Sequence, residues 1–267
     1  MASVVGCVGG ARGTCMGSMF VVERIAKKEP SAMNLYTFAT FGFISLMGLI
    51  FTMKFFTVPF KIPIKGYWKV IVVFFLSNVV NNQVLNFHVP VPLFIIVRSG
   101  LPLASLLLAV EYETKTYTIR KYLSVLSITL GIIICTLAEK GGEGIGLSAE
   151  NASKHYLEWS IGIGMLSVSL FISAYLSILQ QNMYIAHGKH TSEAMFVTHF
   201  ASLPLFVFMA GDIMKAAAAF SADEPVSAGG LLSLPVSTLW VELLLVCVFS
   251  IVWLKVHLLS IGRDASA

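Results

Sequence analysis

The run WSIGIGMLSVSLFISAYLSILQ, Trp159 to Gln180, decides the fold class. Its 22 residues include no Asp, Glu, Lys or Arg. Wound as an α-helix at about 1.5 Å per residue they reach about 33 Å, enough to cross about 30 Å of hydrocarbon. Similar runs recur along the 267-residue chain, which is 57% AVILMFWYC and 12% DEKR, with a mean hydropathy of +0.83. That is about half the charge of a soluble globular domain. The sequence is that of an integral membrane protein, which excludes a soluble enzyme, a secreted disulfide scaffold and a disordered chain. A β-barrel is excluded as well, because its strands alternate lipid-facing and lumen-facing residues, whereas Ile128 to Leu137 is apolar on both parities. The class that remains is an all-α membrane protein.

Outward from that run, hydropathy and helix breakers place eight spans at 2–22, 34–53, 67–87, 90–110, 121–138, 159–180, 193–213 and 237–259. Gly9, Gly10, Arg12 and Gly13 interrupt the first; without a basic n-region or a clear cleavage site it reads as a retained span and not as a signal peptide. Gly13 and Gly17 form a GxxxG suited to close helix packing. Cys7, Cys15, Cys135 and Cys247 all fall inside apolar runs and read as buried thiols, not disulfides. Short loops rich in Lys and Arg stay cytosolic. Loops after even-numbered spans hold eight such residues (Lys54, Lys61, Lys65, Lys69, Lys115, Arg120, Lys121 and Lys189), and those after odd-numbered spans hold six. The bias favours a cytosolic N-terminus and a luminal 139–158 loop, where Asn151-Ala152-Ser153 forms a glycosylation sequon. The net charge of +4 is spread over many loops, unlike a nucleic-acid-binding surface.

Two stretches echo each other. Ala26 to Phe41 (AKKEPSAMNLYTFATF) and Ala186 to Phe200 (AHGKHTSEAMFVTHF) each set a short basic turn before an aromatic-rich helix opening, about 160 residues apart. An internal repeat of the transporter kind produces this pattern, and so do two similar interfacial turns.

Polar side chains inside hydrocarbon are costly and are therefore the first candidates for function. In the third span Asn78, Asn82 and Asn86 recur every four residues and share one helix face, with Asn81 beside it. Four amides on one face are either interhelical hydrogen-bond glue or the wall of a polar cavity. Arg98 lies eight or nine residues into the fourth span, too deep to snorkel easily, and spans two to five contain no Asp or Glu. A guanidinium there meets either a ligand phosphate, which its planar fork suits, or backbone carbonyls. His199, about six residues into the seventh span, is either a packing residue or a ligand contact. Glu242, Lys255, His257 and Arg263 sit near ends of the last span and are given no role. No HExxH, GxSxG, P-loop, paired-Cys or metal-ligand spacing is present, and no nucleophile and base pair at helical spacing, so neither an enzyme nor a cofactor is indicated.

The stretches VVNNQVLNFHVPVPLFIIVRSG (Val79 to Gly100), NLYTFATF (Asn34 to Phe41), RKYLSVLSITLGIIICT (Arg120 to Thr136) and GKHTSEAMFVTHFASLPLFVFMAGDI (Gly188 to Ile213) resemble the nucleotide-sugar transporters of the drug/metabolite transporter superfamily, in the branch for UDP-xylose and UDP-N-acetylglucosamine. The resemblance runs from about Thr14 to the end. It implies ten helices in two inverted five-helix repeats, here 1–138 and 159–267 around the 139–158 loop. It also implies antiport of a cytosolic UDP-sugar against luminal UMP across a Golgi or endoplasmic reticulum membrane. Carried over by position, Asn81, Asn82, Asn86, Arg98, Ser99, Thr198 and His199 are implied substrate contacts, and Glu23 matches the acidic residue ending the first helix.

Four departures stand out. Phe196-Val197-Thr198-His199 lacks the Tyr and Asn of the motif usual there, Phe94 replaces a His before Arg98-Ser99-Gly100, and Leu101 replaces a Ser after it. Ser260 to Ala267 resembles the approach to a ninth helix, with that helix and a tenth missing. The resemblance thus also raises a truncated form, with three helices of the second repeat, that inserts but does not transport alone and associates with another copy or with a full-length transporter.

Overall fold

The computed structural model describes residues 16–84, 87, 91–113, 118–143, 149–228 and 232–250. The architecture is nearly all helical, as expected for the class. Helix α1 covers 16–28; the glycine-interrupted opening of the first span, with Cys7, Cys15 and Gly13, lies outside the described residues. A turn at Pro30–Ala32 leads into α2 (Met33–Met47), which widens into a π turn at Gly48–Thr52. Helix α3 is Ile64–Val84. The expected 90–110 span is two helices, α4 (Val91–Arg98) and α5 (Leu101–Glu113). The reason is Pro102, which has no N–H to give the Arg98 carbonyl four residues back.

Helices α6 (Ile119–Glu143) and α7 (Ala149–His187) both outrun their expected spans. The sequon at Asn151 accordingly lies on the first turns of α7. At 39 residues α7 is about 58 Å long, well beyond the hydrocarbon. It ends where Gly188 turns left-handed (φ 87°) and bonds its N–H to the Tyr184 carbonyl at 2.9 Å, a conformation glycine adopts without a Cβ penalty. The expected 193–213 span is α8 (Thr191–Ser202), a 3-10 segment at Leu203–Met209 opened by Pro204, and α9 (Ala210–Ala222). A hairpin that the span reading did not include follows: β1 (Pro225–Ala228) pairs antiparallel with β2 (Leu232–Ser237), Ala228 opposite Leu232. Helix α10 (Thr238–Ser250) is the described part of the last span.

Among the described residues three helical stretches are long and apolar enough to cross a membrane, Met33–Thr52, Leu157–His187 and Thr191–Ala222. Ile96–Ala109, Tyr122–Ile134 and Thr238–Ser250 are shorter apolar helices. Large apolar side chains such as Phe51, Leu126, Ile134 and Phe208 are exposed, the pattern of helices whose solvent is lipid.

Contacts divide the chain into two compact units, one of residues 1–61 and 190–267, the other of 62–189. Each takes helices from both sides of the boundary expected at 138/139. A repeat would concern which segments are related, whereas a packing unit concerns which helices touch. In the first unit α2 packs on α8. Edge-on contacts of Phe38 and Phe41 with Phe206 (5.6 and 5.5 Å) extend that seam onto the 3-10 segment, and the π turn comes so close to α8 at Gly48 that a Cβ there would lie 2.8 Å from Phe196 Cδ2. Arg24 pairs with the buried Glu242 at 2.8 Å, tying α1 to α10, and Lys28 pairs with Asp223 at 3.2 Å. In the second unit α7 is the spine, with α3 and α5 laid against it.

Candidate functional site

In the second unit the C-terminal end of α3, α4 and α7 share one apolar core, in which Val84, Leu93, Val97, Trp159 and Leu166 are buried. That core fixes the two segments carrying the candidate amides and the guanidinium. Along the α3–α7 seam, two side-chain hydrogen bonds sit one turn apart. The Ser77 and Ser173 hydroxyls hydrogen-bond to each other at 2.8 Å, and the Ser169 hydroxyl donates to Asn81 Oδ1. Stepping up by four on α3 steps down by four on α7, as antiparallel helices require. Asn81 and Ser169 are both buried, so Asn81 has the interhelical hydrogen-bond geometry of the first of its two readings. Asn78 donates to the carbonyl of Phe74 on its own helix at 2.8 Å. Asn82 is half-buried, and Asn86 lies outside the described residues.

The helix interruption at Ser99 and Gly100 is the most unusual feature near these groups. The Ser99 and Gly100 N–H groups bond back three residues, to Ile96 (3.1 Å) and Val97 (2.9 Å), closing α4 as a tight turn. Helix α5 restarts with Leu103 and Ala104 donating to the Gly100 carbonyl at 2.9 and 3.3 Å. Irregular backbone at membrane depth persists where it is buried in protein or lines a water-filled cavity. Transporters use such half-helix ends to meet ligand charge. Arg98 is the last residue of α4, where a cation suits the negative end of the helix dipole. Its guanidinium lies over the Phe94 ring, 5.7 Å from the centroid, so the residue standing in place of the usual His here cradles the arginine. Arg98 and Ser99 are exposed, and among the described residues Arg98 makes no ion pair. The Ser99 hydroxyl donates to the Ile96 carbonyl at 2.6 Å. The open guanidinium beside a broken helix makes a small anion-seeking surface, while the Ser99 hydroxyl, its proton given to Ile96, is left to accept.

Thr198 and His199 belong to the first unit, on α8. The buried Thr198 hydroxyl is shared between the carbonyls of Ala194 (2.8 Å) and Met195 (3.1 Å). His199 Nδ1 lies 2.8 Å from the Met195 carbonyl, which only accepts, so Nδ1 carries the proton. The imidazole meets Phe41 edge-on at 4.8 Å. Backbone and ring together hold it in one orientation.

Two polar features escaped sequence reasoning. Glu193, in the first turn of α8, is buried and receives the Lys61 N–H with both carboxylate oxygens, at 3.0 and 3.2 Å. Its place at the third helical residue was a signal for an end-capping carboxylate, though not for a partner 132 positions away. Glu242, given no role, is the buried half of the ion pair with Arg24. Among the described residues no cluster of His, Cys, Asp and Glu has the makings of a metal site.

Comparison with known proteins agrees with this picture of a helical membrane protein. The sequence profile of the UAA transporter family matches residues 3–262. An endoplasmic reticulum GDP-fucose transporter of Drosophila melanogaster is 41% identical over 217 residues, covering 80% of this chain and 62% of that protein. The nucleotide sugar transporter SLC35B4 of Homo sapiens is 37% identical, covering 79% and 64% respectively. A UDP-xylose and UDP-N-acetylglucosamine transporter of Danio rerio is 34% identical, covering 86% and 70%. The chain thus spans somewhat under two thirds of the first two relatives. No solved structure gives a significant match.

Proposed function

The chain belongs to the UAA transporter family, whose members named above are nucleotide-sugar transporters, and from that premise we propose that it carries UDP-N-acetylglucosamine and UDP-xylose into the lumen of the Golgi or endoplasmic reticulum in exchange for UMP. The observation that carries the proposal is Arg98. It is an exposed guanidinium without an ion pair among the described residues, set at the interruption between α4 and α5. Its fork takes two oxygens of the substrate diphosphate. Ser99, Asn82 and Asn86 add polar contacts, while Asn81 acts one step back by fixing α3 to α7.

A GDP-sugar is the second reading, favoured by the 41% identity to a relative named for GDP-fucose. Uptake of radiolabelled UDP-N-acetylglucosamine, UDP-xylose and GDP-fucose into proteoliposomes preloaded with UMP or GMP separates the two. UMP-stimulated uptake of the UDP-sugars supports the first reading; GMP-stimulated uptake of GDP-fucose replaces it with the second.

A further inference from the structure

A cavity of about 500 Å³ lies in the second unit among α5, α6 and α7, and among the described residues none of the substrate contacts named above lines it. On α6 the lining residues Arg120, Ser124 and Ile128 recur every four positions, so one helix face passes from charge to hydroxyl to hydrocarbon over about 12 Å. On α7 the same passage runs from Gln181 to Ile178. In the sequence Glu111 closes the apolar run of α5 and Arg120-Lys121 open that of α6, which sets Arg120 at the boundary between hydrocarbon and water. The polar end therefore faces the headgroup layer, and the apolar end, floored by Leu106, faces the acyl chains.

The donors at the polar end decide the sign of the ligand. Ser124 and Ser177 spend their protons on the Arg120 and Ser173 carbonyls, at 2.9 and 3.1 Å. Among the described lining residues what remains to donate at that end is the Arg120 guanidinium and the Gln181 carboxamide, with the Ser105 hydroxyl further along α5, and none of them is Asp or Glu. A soluble anion would satisfy that end and leave the apolar wall unfilled. Beside the cavity Leu123 and Leu126 are exposed on α6, and Leu107 on α5. We propose that this cavity is a binding site for an acidic glycerophospholipid, its phosphate on Arg120 and Gln181 and an acyl chain along Leu106, Ile128 and Ile178. The lipid fills the space among the three helices and fastens α5 and α6 to α7.

The test is lipid binding to the purified full chain in detergent, read by native mass spectrometry with phosphatidylglycerol and phosphatidylcholine of the same acyl chains. Phosphatidylglycerol binds at the lower concentration. Arg120→Ala and Arg120→Gln each raise the concentration it needs about fivefold, the factor expected for one basic residue at a headgroup, and leave phosphatidylcholine unchanged. Ile178→Trp, which occupies the apolar end, weakens both lipids, while Arg98→Ala weakens neither. Equal binding of the two lipids to the unmodified chain overturns the proposal. So does undiminished phosphatidylglycerol binding by whichever Arg120 variant is folded, and so does displacement of the lipid by inorganic phosphate or UDP-N-acetylglucosamine.

Discussion

Removing the Asn81–Ser169 contact separates packing from ligand binding on the α3 amide face. Asn81 and Ser169 are 8% and 1% exposed, and each reaches the other across the α3–α7 seam. In Asn81→Ala the Ser169 hydroxyl need not be orphaned. It can swing to the carbonyl four residues back on α7, as the Ser177 and Thr198 hydroxyls already do on their own helices. The Ser77–Ser173 bond one turn away still holds the seam. The loss is therefore that of a single interhelical hydrogen bond in a membrane protein, about 0.6 kcal/mol and at most about 1.7. The assay is a double-mutant cycle of Asn81→Ala and Ser169→Ala, read by reversible unfolding in mixed micelles, with UDP-N-acetylglucosamine affinity measured on the same preparations. The expected result is a coupling energy of about 0.6–1.7 kcal/mol and affinity changed by less than about threefold, since 1.4 kcal/mol at the site itself is worth tenfold. Strictly additive stabilities, with a tenfold loss of affinity in Asn81→Ala alone, would refute the reasoning and return Asn81 to the cavity wall.

Three further outcomes follow from the same geometry. Gly48→Ala forces a Cβ to 2.8 Å from Phe196 and destabilises by about 1–3 kcal/mol, and Phe196→Ala in the same chain recovers part of the loss in thermal unfolding. Arg24→Ala strands the buried Glu242 carboxylate and costs about 1–3 kcal/mol, less than a fully buried pair because Arg24 is half exposed; adding Glu242→Gln restores most of it in the same measurement. Tags at Met1 and near Gly142, tested by protease protection in sealed vesicles, report a cytosolic N-terminus and a luminal connection between α6 and α7, and a protected N-terminal tag reverses that orientation.

Hydropathy was enough to find the membrane class and to place α2 and α3 within a few residues, because apolar length is a property of the chain alone. The interruptions were written in the sequence as Pro102 and Pro204, but an apolar run reads straight through a proline when only hydropathy is summed. The hairpin had its own sign, Gly229-Gly230 between Val226-Ser227 and Leu232-Ser233, which a search for spans passes over. Helix α7 outruns the hydrocarbon because helical hydrogen bonding is local and continues into water wherever no breaker stops it. At the site, Arg98 and the amide face were legible as polar groups in apolar surroundings. That Asn81 meets Ser169 and that Glu193 receives the Lys61 N–H depends on which segments pack, and no local pattern carries it, whereas Phe94 under Arg98 is an i,i+4 pair that helical spacing on α4 already places.

Whether Arg98 receives the phosphates of a nucleotide sugar is decided by equilibrium binding of radiolabelled UDP-N-acetylglucosamine to the purified chain and to its Arg98→Lys variant, matched for ligand-free melting temperature. Lysine keeps the charge and loses the fork, so the account predicts saturable binding displaced by UMP and weakened in the variant by roughly 10- to 100-fold, the equivalent of about 1.5–3 kcal/mol for a charge-assisted hydrogen bond. Equal affinity in the two proteins at equal stability, or affinity and melting temperature falling together, would contradict it.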